Sequence, residues 1–395
     1  NKINMKNFEK IEHNQKQKTS VSRFEDFRGR DLSEQNFSNV SVDVLITANF
    51  DTETIWPEKE NLPKDFSPEK LLEESKNPGL GIKELHKKGI NGQGVVVAII
   101  DQKLDINHPE YKNSIVGYTE YYGSENEGIS MHGPAVASLL VGKDCGVAPG
   151  AKLVYKAVPA GRSFLFEAEA LNDIVEKNKT LPENEKIKIV SCSIGYVEEK
   201  PEPNLDKWIE ALKAAKKAGI FVVDVGGNQV GILFSGGGSP KNKDDFEDYL
   251  SWLYKEEGSE ELNEIISEGN IGGILKKLRE IKKYELINIS DIDLKRKVEA
   301  HINERKKEII VPSDYRTMAS SWHKEGQYMY NGRGGMSWSV PYLAGLFALA
   351  LQVNPNLQRE EIAEIIKESV VMNKKGLRIV NPKGIVDLAK ERIKS

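Results

Sequence analysis

Four short apolar stretches constrain this chain more than any other feature: VVVAIID (95–101), AKLVYKAV (151–158), IKIVSCSIG (187–195) and GIFVVDVGGN (219–228). Each is bounded by glycine or a polar residue. Between them run segments such as SFLFEAEALNDIVEKN and LDKWIEALKAAKKAG, in which apolar residues recur at helical spacing. Strands that are apolar on both faces must be covered on both, and strand–helix alternation is the pattern of a parallel sheet. The spacing predicts an α/β fold: a doubly wound, mainly parallel sheet with helices on both faces. In such sheets functional side chains gather where strands end.

The chain has 395 residues, 39% of them hydrophobic, enough for one large core with additions. A net charge of -4 gives no reason to expect nucleic acid as a partner. No apolar run is read as reaching the roughly 18 residues of a membrane span, so the run after Val340 is expected to be a core helix. Two cysteines make no disulfide framework and mark no metal site; Cys192, in an apolar strand pattern, reads as a buried free thiol. The chain begins at Asn1 with no signal-like stretch, which is read as a chain whose leader has been removed.

Residues 1–81 read as an N-terminal extension. Its first 30 or so residues are polar and are expected to form a loose arm. Val42, Val44, Ile46, Ala48 and Phe50 alternate with mostly polar residues, the period of a half-buried strand. Ser67-Pro68 then opens a helix that NPGLG closes. DLSEQNFSN has the look of one coil of a five-residue repeat. The α/β pattern occupies 82–235 and 309–395. Between them, 236–308 is charged and helical in spacing, and GGGSPKNK leads into it; this segment is expected to be an insertion or lid.

Four polar residues stand at ends of these elements. Asp101 closes the first strand, where a carboxylate can orient a base. His132 opens a small-residue helix, whose positive end disfavours the imidazolium and keeps the ring a neutral base. Asn228 follows two glycines at the end of a buried strand, where its amide can face an oxyanion. Ser337, in GGMSWSVPYLAG, reads as the cap of the apolar helix, with Pro341 in that helix's first turn. Singly, each has an ordinary reading as a turn residue, loop residue or cap. Together, Asp, His and Ser follow a chain order known among serine hydrolases. His108 reads as structural, and His13, His86, His301 and His323 as surface or helical residues.

These motifs resemble the subtilases, the subtilisin-like serine proteases. VVAIIDQKLDINHP (96–109) is similar to the family's aspartate motif, with Gln102-Lys103 where Thr-Gly is usual. HGPAVA (132–137) resembles the histidine motif, GVAPGAKL (146–153) a common family segment, and GMSWSVPYLAG (335–345) the serine motif. SCSIGY resembles the strand lining the substrate cleft and VVDVGGN the strand carrying the oxyanion asparagine; NPNLQREEI and GLRIVNPKGIVD resemble the closing helices. The resemblance implies an endopeptidase acting on a protein or peptide. Ser337 would be its nucleophile, His132 its base, Asp101 the orienting acid and Asn228 an oxyanion donor. Ser193, Ile194, Gly195 and Tyr196 would border the substrate.

The family's chemistry implies no required cofactor; structural calcium is common among its members, yet no D-x-D-x-D loop places one here. Family habit favours export or the cell envelope, and the cysteine count fits either side of a bacterial membrane. Bulky Met336, Trp338 and Tyr196 around the site point to a narrow cleft, gated by 236–308. Two other readings stay open: a subtilase that binds peptides without cutting them, and one performing another acyl transfer. The oligomeric state is not read from the sequence.

Overall fold

The computed structural model describes residues 19–121, 123, 127–161, 163–196, 202–225, 229, 231–251, 307–322 and 324–393. From Thr19 the chain already winds with a five-residue period. Phe27, Leu32 and Phe37 point inward and are 3%, 1% and 0% exposed, so the expected loose arm is corrected for residues 19–30. Ahead of each, Asp26, Asp31 and Asn36 accept a hydrogen bond from the backbone two residues on, the Asx turn that bends the coil. The N–H groups of Phe27, Leu32 and Phe37 donate to the next pass of chain at Asn49, Ile55 and Asn61, at 2.7–2.8 Å. Residues 1–18 lie outside the described residues.

The strand expected over Val42–Phe50 is instead a short helix, α1 (Val42–Leu45), followed by a shorter strand, β1 (Asn49–Asp51). Ser41 Oγ accepts from Asp43 N, and Thr47 Oγ1 donates to Val44 O at 2.7 Å; these local bonds favour the turn over an extended chain. Ser67 caps α2 (Pro68–Glu74) through Lys70 N, with proline at its first position, as its sequence predicts.

After α3 (Ile82–Lys87) come β2 (Val96–Asp101), β3 (Ile115–Glu120), α4 (His132–Val141), β4 (Lys152–Ala157), α5 (Leu165–Asn178), β5 (Ile187–Cys192), α6 (Leu205–Lys217) and β6 (Phe221–Asp224). The strands form one parallel sheet in the order β3-β4-β2-β5-β6. β2 is at its centre and every residue in it is buried. α5 and α6 cover one face of the sheet with Ala168, Leu171, Trp208 and Leu212. Buried Asn178 locks the end of α5 to the start of β5, donating to Ile187 O and accepting from Ile187 N.

A second, five-stranded sheet includes β7 (Phe234–Gly238), β8 (Leu250–Ser251) and β9 (Ile309–Pro312). β7 spans the boundary placed at 235/236, and Gly236, Gly237 and Gly238 are strand. A Cβ on Gly236 would sit 2.4 Å from Ser313 Oγ, and one on Gly237 2.4 Å from Leu250 O. The remainder of the expected helical insertion, 252–306, lies outside the described residues. β10 (Arg316–Ser320) and β11 (Gln327–Asn331) pair with each other, and β1 adds antiparallel to β11, joining the N-terminal coil to the body. Tyr315 and Tyr330 pack with Phe27, Phe37 and Phe50 in the core that results.

α7 (Met336–Val353) crosses the centre, followed by α8 (Arg359–Ser369), β12 (Val371–Met372), β13 (Arg378–Ile379) and α9 (Pro382–Glu391). With 18 residues, α7 is long and apolar enough to cross a membrane, contrary to the expectation that no run is. It is nevertheless a core helix, as read: Trp338 to Leu351 are all buried against α4, α9 and both larger sheets.

Phe37→Ala should cost about 3–5 kcal/mol, the usual loss for emptying a buried phenylalanine site. Urea unfolding of the whole chain measures it. A loss near 0.5 kcal/mol, typical of an exposed position, would mean that the coil is not part of the cooperative fold.

Candidate active site

Asp101 ends β2 at the carboxyl edge of the sheet and is 7% exposed. The first turn of α4 presses against the backbone that follows it. A Cβ on Gly133 would lie 2.5 Å from Gln102 O and 2.8 Å from Lys103 O, so glycine is what lets the helix start there. His132, the first residue of α4, is thereby placed with Nδ1 2.7 Å from Asp101 Oδ1. The same oxygen accepts from Gln102 N at 2.8 Å. An ionised carboxylate beside Nδ1 holds the proton there and leaves Nε2 as the basic nitrogen. Burial lowers the His132 pKa, but the charge and hydrogen bond of Asp101 outweigh it, and the net shift is upward. The expected depression by the helix end does not prevail. The Trp338 ring packs on the imidazole, with centroids 5.2 Å apart.

Ser337 is the second residue of α7; Gly335 is the N-cap, with no side-chain cap bond. The serine is thus not the cap its sequence suggested. Its backbone N–H is one of the first four of the helix, which have no partner within it. Pro341 is the sixth residue of α7, past the first turn, and has no N–H to give to the carbonyl four residues back. That carbonyl is Ser337 O, and Ser193 Oγ donates to it at 2.8 Å. The end of β5 is tied in this way to the backbone of Ser337.

Asp101, His132 and Ser337 line one open cleft of about 570 Å³, together with Ser193, Ile194, Gly195 and Tyr196. The residues give no hydrogen bond between Ser337 Oγ and the imidazole; such contacts commonly tighten only when substrate is bound. Pairing of β2 with β5 stops at Ile99–Ser191, while β5 continues beside β6, with Val225 N donating to Ile194 O at 3.2 Å. Ser193–Gly195 therefore borders the cleft on the side β2 has left. Tyr196 packs edge-on against Phe164. Gln102 lines the cleft, whereas Lys103 Nζ reaches Glu120, 3.5 Å away.

Asn228 lies outside the described residues; Val225, three positions earlier, lines the cleft. His108 is fully buried, accepting from Glu110 N and donating to Gln327 O, and His86 binds Val147 O, so both serve the fold. Among the described residues no group of three or more His, Cys, Asp or Glu gathers where a metal could sit. The sequence reading passed over Glu167, which also lines the cleft. Its signal was an acid on the buried stripe of α5 formed by Ala168, Leu171, Ile174 and Val175.

The sequence profile of the subtilase family matches residues 92–385. The major intracellular serine protease of Bacillus subtilis (strain 168) is 32% identical over 161 residues, 37% of this chain and 46% of that protein. Serine protease AprX of the same organism is 26% identical over 322 residues, 72% of this chain and 63% of that one. The chain thus spans less than two thirds of either relative. The prenylagaramide maturation protease PagA aligns in structure with a TM-score of 0.49 at 16% identity, covering 78% of this chain and 98% of that one.

Ser193→Ala removes the one donor to a carbonyl that Pro341 leaves without a helix bond, and should cost about 1 kcal/mol in a denaturant melt. No change would show that solvent replaces the serine. Asp101→Asn should move the His132 titration, followed by NMR, to lower pH. Because the folded value is raised, the pair stabilises the protein fully below the ordinary histidine range. That stabilisation fades as pH rises through the folded value, and an unmoved titration would remove the carboxylate as its cause.

Proposed function

The chain belongs to the subtilase family, and from that premise we propose that it is a serine endopeptidase with Ser337 as nucleophile, His132 as base and Asp101 as the group that orients it. The observation that carries this reading is the 2.7 Å bond from Asp101 to His132 Nδ1 at the edge of the cleft that Ser337 also lines.

In this mechanism the Ser337 hydroxyl attacks the scissile carbonyl while His132 Nε2 takes its proton. Asp101 keeps the Nδ1 proton in place and stabilises the imidazolium; the raised pKa of His132 is what makes the ring an effective acceptor. The oxyanion that forms meets the Ser337 N–H at the positive end of α7, with Asn228 as the proposed second donor. The imidazolium then gives its proton to the leaving amine. Water attacks the acyl-serine, with His132 again taking the proton, and releases the second product as a free acid. The substrate backbone lies as an added strand along Ser193–Gly195, beside Tyr196. Met336 and Tyr196 narrow the approach, Trp338 backs the imidazole, and the 252–306 part of the expected insertion is proposed to gate the cleft.

A fluorophosphonate probe should label the parent chain and neither Ser337→Ala nor His132→Ala, and both variants should lose at least about 10⁴-fold in peptide hydrolysis. Hydrolysis should fall as pH drops through the raised His132 value, where the base becomes protonated. A folded parent that takes no label, even with 252–306 removed, would replace the protease reading with a binding role.

A further inference from the structure

We propose that Glu167 sets the specificity of this cleft by receiving a lysine or arginine side chain located a few residues from the scissile bond; this rests on the protease reading above. Glu167 is the third residue of α5 and is 5% exposed, yet it lines the cleft beside Asp101 and Ser193. Ile100, Val158 and Cys192, all apolar and buried, line the same cleft. Its carboxylate meets its own backbone N–H and, among the described residues, no cation. Burial, with Asp101 adding to it, pushes its pKa up. Isolated carboxylates are rarely left in such surroundings, because a buried charge without a partner is strongly unfavourable.

The helix N-terminus offsets part of that penalty but supplies no counter-charge. A packing role alone is better filled by an apolar residue, as at every neighbouring position of the same stripe except Asn178, which holds β5. An entering ammonium or guanidinium supplies the missing cation at a desolvated site, where charge-assisted hydrogen bonds are strongest. The apolar walls fit the aliphatic stem of those side chains. Among the described residues the lining includes Asp101 and Glu167 and no lysine or arginine, a balance that disfavours acidic side chains.

The test uses one peptide series that places lysine, norleucine or glutamate at each position in turn. Binding is read by fluorescence anisotropy on full-length Ser337→Ala, and kcat/KM on the parent. Lysine should exceed norleucine by about tenfold or more at one position, the scale of one charge-assisted bond. Glu167→Gln and Glu167→Ala should both abolish that preference and leave the norleucine peptide within about twofold of the parent. Three results would overturn the inference: no position that prefers lysine, a preference that survives both substitutions, or one lost only in Glu202→Gln. Binding through Glu167 without any hydrolysis would refute the protease reading and keep this one; hydrolysis indifferent to charge would do the reverse.

Discussion

A helix buried on every side meets each neighbour at a set distance, and α7 is such a helix. Its small residues settle those distances: a Cβ on Gly345 would fall 2.5 Å from Val147, so α7 packs there without one. With its body held by the core, its first turn has little freedom. Pro341 removes a helix bond from that turn, and Ser193 restores one from outside the helix. The nucleophile candidate is therefore positioned by packing behind it and by a strand end in front of it. Both fix the backbone of Ser337, and the residue lines the cleft.

The strands that were readable in the sequence are those whose burial is two-sided. β2, β4, β5 and β6 each read as a short, mostly apolar run because helices cover both faces of their sheet. Asp101 and His132 were readable with them, since each is the polar residue at the end or start of such an element. Other parts were hidden for physical reasons. β7 is FSGGG, a strand made of residues that weaken strands, and it is stable only because neighbouring backbones approach where side chains would be. In the N-terminal coil one residue in five carries most of the burial, so composition read as a polar arm. β1 and β11 pair across hundreds of residues of chain, a contact that no local pattern announces. The offset of Ser337 from the cap depends on Gly335, whose extended backbone no residue pattern announced.

The His132 result shows why magnitudes decide between two correct local arguments. A helix N-terminus disfavours a nearby cation by about 0.3–1 kcal/mol, and less as exposure grows. A carboxylate in direct contact at 2.7 Å acts on the same ring with both charge and a hydrogen bond. The second outweighs burial, so the ring is a stronger base than its place in the helix suggests. The sequence contained both partners, but the contact between them depends on the bare Cα of Gly133.

Asp101 and Glu167 make the final contrast, since they are two buried carboxylates in one cleft. Asp101 has two donors from the protein, the Gln102 N–H and the His132 Nδ1–H, and so is occupied before any substrate arrives. Among the described residues Glu167 has only its own N–H. Residue type and burial are nearly the same in the two cases; what differs is whether the fold completes the carboxylate's hydrogen bonding. A completed one can hold a protein group in place through a reaction. An incomplete one keeps its strongest interaction in reserve for whatever enters, and in a cleft with no basic side chain among its described lining residues, the proposed occupant is a cation on the substrate.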